Sequence, residues 1–192
     1  MSSYYRIQLE DWLKKLDVNA DRVLDVGGSQ LPVRDRVKAW TVNEYRIIDL
    51  PVPHKGATPN LMWDINNDGT DAWPASMADI VFCLEVMEYV YEPMTAIKNL
   101  AHWTKPGGTL YITFPYYYPP HEPLESDYLR YTLAGARKLL ENGGFRVDEV
   151  FPRRSRGLGL LDAISENALR LSKRAGADEA NMLGFIIKAT KL

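Results

Sequence analysis

The chain has 192 residues, 46% of them hydrophobic and 25% charged; this is the size of one domain with a full core and excludes a disordered or fibrous protein. A formal charge of -2 and a pI near 5.9 provide no overall positive field for nucleic acid or an anionic membrane surface. No apolar run is long enough for a bilayer span or a signal core, and the lone Cys83 excludes an internal disulfide and a cysteine-built metal site; the expectation is a soluble protein of the reducing cytoplasm, with no metal, membrane or nucleic-acid partner.

In chain order, residues 5–16 place Ile7, Leu9, Trp12, Leu13 and Leu16 at roughly helical spacing, which predicts an amphipathic lead-in helix beside a sheet. "RVLDV" (22–26) and "YRIIDL" (45–50) have little polar interruption, as in strands buried on both faces of a parallel sheet. A weaker strand is expected over 61–65, and "ADIVFCLEV" (78–86) reads as a near-continuous apolar strand. A helix over 93–104, a "KPGG" turn and the strand "TLYITFPY" (109–116) come next. After a polar and aromatic connection over 116–132, "LAGARKLLENGG" predicts a helix closed by glycine and "FRVDEVF" (145–151) a sixth strand. "LLDAISENALRLSKRA" (160–175) predicts a further helix and "LGFIIKATK" (183–191) a last strand. This alternation, without repeat, linker or composition break, predicts a single α/β domain over 1–192 on a doubly wound sheet.

Ligands of such a sheet bind outside the carboxyl ends of its strands, and here those ends are acidic: Asp25, Asp49, Asp64 and Glu85. Gly27 and Gly28 let a ligand approach the backbone closely, while Asp25 is expected to organise the turn by hydrogen bonding. Asp49 stands about as far beyond the turn as the acid that grips ribose hydroxyls in dinucleotide-binding folds, which points to an adenosine-bearing cofactor. Two cofactors compete. A nicotinamide dinucleotide carries a pyrophosphate that calls for GxGxxG and a helix N-terminus, whereas this chain offers "GGSQLP". S-adenosyl-L-methionine has no phosphate, and its cationic sulfonium and ammonium suit an acidic site.

The sequence resembles the class I S-adenosylmethionine-dependent methyltransferases over nearly its whole length. "VLDVGG" is similar to their first motif, "YRIIDL" to the ribose-binding strand end and "WDINND" to the adenine-side loop. "ADIVFCLEVMEYVYEP" resembles the fourth strand and the following turn, "HWTKPGGTLYITFPY" the next helix, turn and strand, and "LLENGGFRVDEV" the entry to the sixth strand. The resemblance implies a Rossmann-like, mostly parallel seven-stranded sheet with the last strand antiparallel, and methyl transfer from S-adenosyl-L-methionine. It places Asp25, Gly27 and Gly28 around the methionine moiety, Asp49 at the ribose, Leu50 among the cofactor contacts, Asp64 and Ile65 beside adenine, and Leu84 and Glu85 near the reactive sulfonium. Three positions depart from the family pattern: Ser29 and Leu31 replace glycines, and Tyr89 stands where many members have histidine.

The loop "YYYPPHEPLESDYLRYT" should overhang the acceptor side, and it is similar to a loop of small methyltransferases associated with bacterial surface-polysaccharide genes. The expected acceptor is a small molecule or saccharide, methylated on oxygen. A hydroxyl acceptor needs a base; His121 stands first for that role, followed by Glu85 and Asp127, with an Asp127–Arg130 ion pair as the plainer use of the latter. Arg153, Arg154 and Arg156 are expected as a solvated patch, with a phosphorylated acceptor as the alternative. Leu161, Ile164, Ala168 and Leu171 are expected to pack on the domain's own core, with a cover for the pocket or a homodimer face as the alternatives. The rival functions are a cofactor-binding protein without turnover and a nicotinamide-dependent oxidoreductase.

Overall fold

The computed structural model describes residues 4–51, 58–68, 75–117, 120, 122–154 and 182–192. Helix α1 (Tyr4–Leu13) leads into strand β1 (Asp17–Val26), followed by β2 (Ala39–Asp49), β3 (Leu61–Met62) and β4 (Ala78–Cys83). Helix α2 (Pro93–Trp103), β5 (Thr104–Pro115), α3 (Leu133–Asn142), β6 (Phe145–Arg154) and β7 (Met182–Lys191) complete the described elements. The seven strands form one sheet in the order β3-β2-β1-β4-β5-β7-β6. The pairings are parallel from β3 to β5, and β7 runs antiparallel to both β5 and β6. This is the predicted Rossmann-like sheet with its antiparallel last strand.

Two apolar layers hold the sheet. On one face Ile97, Leu100 and Trp103 of α2 and Ala136 and Leu140 of α3 cover Val26, Val81, Cys83 and Ile112. On the other, Leu9 and Leu13 of α1 cover Val23, Phe82, Tyr111 and Ile186. The buried face of α1 is Tyr5, Leu9 and Leu13, four residues apart, while Ile7, expected on the apolar stripe, is 38% exposed. Helix α2 opens with Pro93 in its first turn, where a missing N–H costs nothing. Thr132 caps α3 by accepting the Gly135 amide at 3.0 Å, and Gly143 and Gly144 close the helix as predicted.

Several expectations change. Strands β1 and β2 are twice the predicted length, and Ile48 is the one fully buried residue of β2, so β2 is not covered on both faces. The reason lies in the β1–β2 connection, which contains a three-residue 3-10 turn, Val33–Asp35, and no α-helix to shield the sheet there. The "KPGG" segment is an irregularity at the start of β5 rather than a separate turn. Strand β3 has shrunk to two residues. The predicted helix over 160–175, with Leu161, Ile164, Ala168 and Leu171, lies outside the described residues, as do Tyr118, His121 and Arg156. No helix among the described residues is long and apolar enough to cross a membrane.

Candidate active site

β1 and β4 lie side by side at the point where the strand order reverses, and the crevice outside such a switch point is where open α/β sheets take ligands. A cavity of about 600 Å³ opens there, lined by Asp25, Gly27 and Gly28 after β1, Asp49 and Leu50 after β2, Asp64 and Ile65 after β3, and Leu84 and Glu85 after β4. All nine residues expected at the cofactor therefore meet in one cavity, whose size lies within the ordinary range of small-molecule sites.

The glycine turn explains itself atom by atom. Asp25 is 3% exposed and its Oδ2 accepts the Val33 amide at 2.9 Å and the Tyr45 hydroxyl at 2.6 Å. Burial pushes its carboxyl up to about 6, even though both hydrogen bonds work the other way. The carboxylate thus organises the loop, as expected for a strand-end acid before a turn. Gly27 has φ +75° and no room for a side chain, since a Cβ would lie 2.4 Å from Val86. A Cβ on Gly28 would lie 2.3 Å from the Asp25 carboxylate. Neither Ser29 nor Leu31 has a positive φ, so the turn needs no glycine at either departure from the family pattern.

The Ser29 amide donates to Asp49 Oδ2 at 3.1 Å and the Leu50 amide to Oδ1 at 2.8 Å. These two bonds fix the carboxylate plane and leave acceptor capacity on both oxygens. Asp64 Oδ1 accepts from the backbone and side-chain nitrogens of Asn66, at 2.9 and 2.8 Å. Asn66 in turn receives the amides of Tyr91 and Glu92, tying the β3 loop to the segment after β4. From α2, the buried Asn99 donates to the carbonyls of Ile65 and Asn67 at 3.0 and 2.7 Å. The sequence reading missed Asn99, because its partners lie more than thirty positions away. Replacing Asn99 with Leu strands two carbonyls and is expected to cost about 2 kcal/mol, the usual penalty for unpaired buried polar groups. Urea denaturation checks this.

Glu85 has φ +57°, a strained conformation for a side chain of this type. Its amide donates to Thr113 at 2.7 Å, and its carboxylate pairs with Arg153 at 2.7 Å. Arg153 is 1% exposed and stacks over the Tyr5 ring while also donating to the Tyr5 hydroxyl. This corrects the expectation of a solvated patch: β6 carries Arg153 into the core, where it reaches Glu85. Asp127 is also redirected. Arg130 holds both its oxygens at 2.5 and 2.6 Å, its side chain is 1% exposed, and it does not line the cavity, so it is ill placed to serve as a base. Tyr89 lines the cavity and donates its hydroxyl to the Glu122 carbonyl at 3.0 Å. Glu88, which the sequence reading passed over, lines the same cavity at 5% exposure.

The donor set suits S-adenosyl-L-methionine better than a dinucleotide. The glycine turn runs into the short 3-10 turn rather than an α-helix N-terminus, so a pyrophosphate lacks its usual seat. Asp25, Asp49, Asp64 and Glu85 line the cavity with carboxyl groups, which favour a cationic ligand over one carrying two phosphates. Trp63 also lines the cavity, and its indole N–H has no acceptor among the described residues.

Comparison with known proteins agrees. Residues 54–112, from before β3 to within β5, match a methyltransferase domain family. Solved structures share the fold across the chain. An S-adenosylmethionine-dependent methyltransferase from Archaeoglobus fulgidus is 15% identical with a TM-score of 0.62, over 98% of this chain and 92% of its own. The Haloferax volcanii chain in complex with the Trm112 methyltransferase activator is 18% identical with a TM-score of 0.59, over 98% and 89%. The N-methyltransferase NodS from Bradyrhizobium japonicum is 13% identical with a TM-score of 0.60, over 97% and 96%. No curated protein matches the sequence. A methyltransferase domain is thus matched over residues 54–112, and the fold of S-adenosylmethionine-dependent methyltransferases extends across the chain.

Proposed function

We propose that the protein transfers a methyl group to the hydroxyl of a small molecule or saccharide. The observation that carries this reading is the single cavity at the carboxyl rim, with its carboxyl groups, its glycine turn and an aromatic outer edge. S-adenosyl-L-methionine supplies the methyl group already activated on a cationic sulfur. In this reading Gly27 and Gly28 hold the methionine end against main chain, and Asp49 accepts two vicinal ribose hydroxyls. Asp64, Ile65 and Leu50 flank adenine, and Leu84 and Glu85 line the transfer end. Asp25 supports the turn from below.

The main task left to the protein is alignment, which supplies roughly 7–11 kcal/mol of barrier reduction in well-oriented systems. At the rim Tyr91 and Tyr128 stand 51% and 49% exposed with ring centroids 5.5 Å apart. Their faces suit the apolar side of a sugar ring, and their hydroxyls its polar edge. The likeness of the 116–132 loop to methyltransferases of surface-polysaccharide genes supports the same acceptor class.

Incubation with methyl-labelled cofactor and fractionated cell extract tests the reading, and label in a saccharide or other hydroxylated fraction is the expected result. Binding of S-adenosylhomocysteine with no label in any fraction would favour a cofactor-binding protein without turnover. Thermal stabilisation by NADH but not by S-adenosylhomocysteine would favour an oxidoreductase. Asp49→Ala is expected to weaken S-adenosylhomocysteine binding by about 1.5–3 kcal/mol, the scale of hydrogen bonds to a charged group. Calorimetry showing unchanged affinity removes Asp49 from the ribose site.

A further inference from the structure

We propose that Glu88 is the catalytic base of this protein, its carboxylate receiving the proton that the acceptor hydroxyl gives up. The inference rests on the methyl-transfer reading and assigns its missing proton acceptor.

Glu88 sits in the short 3-10 turn Met87–Tyr89 beyond β4, buried to 5% exposure yet lining the cavity. Its backbone carbonyl accepts the amides of Tyr128 and Leu129 at 2.8 and 3.4 Å, so the loop bearing the aromatic rim is fixed directly to this residue. The acceptor subsite and the carboxylate are thereby one structural unit. Among the described residues, three other protonatable groups of the neighbourhood are already engaged. Glu85 is bound to Arg153, Asp127 to Arg130, and Tyr89 to the Glu122 carbonyl.

The groups facing Glu88 come from every element around it. Glu85 lies one turn earlier, Cys83 ends β4, Arg153 reaches in from β6, and Asp127, Arg130 and Tyr131 belong to the loop before α3. Both arginines are committed to other carboxylates, and among the described residues Glu88 forms no ion pair. Burial first, then the nearby Glu85 charge, pushes its carboxyl up to about 8. A base with that affinity for a proton is well matched to neutral solution, and general-base catalysis of this kind contributes roughly 10²–10⁴-fold.

The step balances within the cavity. As the acceptor oxygen bonds to the methyl carbon, the electrons of the carbon–sulfur bond remain with sulfur, which becomes a neutral thioether. The hydroxyl proton passes to the Glu88 carboxylate and is later released to solvent. Since the ionised carboxylate is the working form, turnover rises as pH increases through about 8.

The test uses the full chain, methyl-labelled S-adenosylmethionine and the extract fraction that takes label from wild type. Glu88→Gln is expected to lower labelling a hundredfold or more and to abolish the rise with pH, while S-adenosylhomocysteine affinity stays within about twofold of wild type. Glu88→Asp should recover part of the rate with a displaced pH profile. Independently of turnover, carbon-13 NMR of the glutamate carboxyls in the free protein should show one resonance titrating near pH 8 that is lost in Glu88→Asp; this reading stands even where the Gln variant does not fold. A Gln variant that labels within tenfold of wild type, or a Glu88 carboxyl titrating in the ordinary glutamate range, overturns the assignment while leaving methyl transfer intact. Wild type that binds S-adenosylhomocysteine but labels no fraction overturns both.

Discussion

Glu85→Ala is expected to destabilise the fold by about 3–5 kcal/mol, the cost of leaving a buried charge without its partner. The Arg153 guanidinium is 1% exposed, and its Nε has no acceptor among the described residues. Glu85 at 2.7 Å is the carboxylate that offsets its burial. Removing the arginine instead, as in Arg153→Met, should cost less, because the Glu85 side chain is 21% exposed and can turn towards cavity water. The double variant Glu85→Ala/Arg153→Met should recover most of the loss, since an apolar pair replaces a buried ionic one at little net cost. Backbone strain separates a second contribution. At φ +57° glycine is at ease where alanine is not, so Glu85→Gly should be more stable than Glu85→Ala by about 1 kcal/mol. Urea midpoints of the four variants measure all of this. A loss below about 1 kcal/mol for Glu85→Ala, the scale of an exposed pair, would mean that Arg153 finds solvent and that the pair does not set the position of Glu85.

Such a pair is invisible in the sequence for a definite reason. Its partners are 68 positions apart, and nothing local to "FPRRSRG" says which arginine turns inward. The cofactor end of the site was legible because its signals are local: an acid ending an apolar run, two adjacent glycines, and a second acid one strand later. Those patterns fixed Asp25, Gly27, Gly28 and Asp49 at one cavity. The connection after the turn was not legible, because the absence of an α-helix between β1 and β2 follows from how the chain packs rather than from any residue in "GGSQLP". The acceptor side was harder still. Glu88 reads like any exposed turn acid in "EVMEYV", and it is buried by a loop some forty residues later, whose Tyr128 and Leu129 amides bind its carbonyl. For Asp127 the plainer of the two expectations holds, the ion pair with Arg130, which spans both its oxygens. Asn99 resembles an ordinary helix-surface residue, yet it holds the loop after β3 through two carbonyls.

Gly28→Ala is expected to cost about 3–5 kcal/mol, combining the 1–3 of an overpacked core site with weakened bonds to a buried carboxylate, each worth roughly 1.5–3. The new methyl would lie 2.3 Å from the Asp25 carboxyl, which cannot simply swing aside. Val33 and Tyr45 both donate to its Oδ2, the oxygen nearest the new methyl, and moving it releases both the 3-10 turn and β2. The pH dependence tells displacement from mere crowding. In wild type the Asp25 carboxyl is raised from 3.8 to about 6 by burial, so the folded state binds a proton that the unfolded state has already lost. The stability it contributes is therefore complete below pH 3.8 and lost as pH rises through about 6. If alanine pushes Asp25 out towards cavity water, its carboxyl returns to the ordinary range and this slope disappears. Stability of Gly28→Ala should then be flatter than wild type between those two pH values, with cofactor affinity reduced because the turn that carries it has moved. A variant as stable as wild type, with the slope retained, would show that the loop absorbs a methyl group. In that case close contact between Asp25 and the bare backbone of residue 28 is not what shapes the turn.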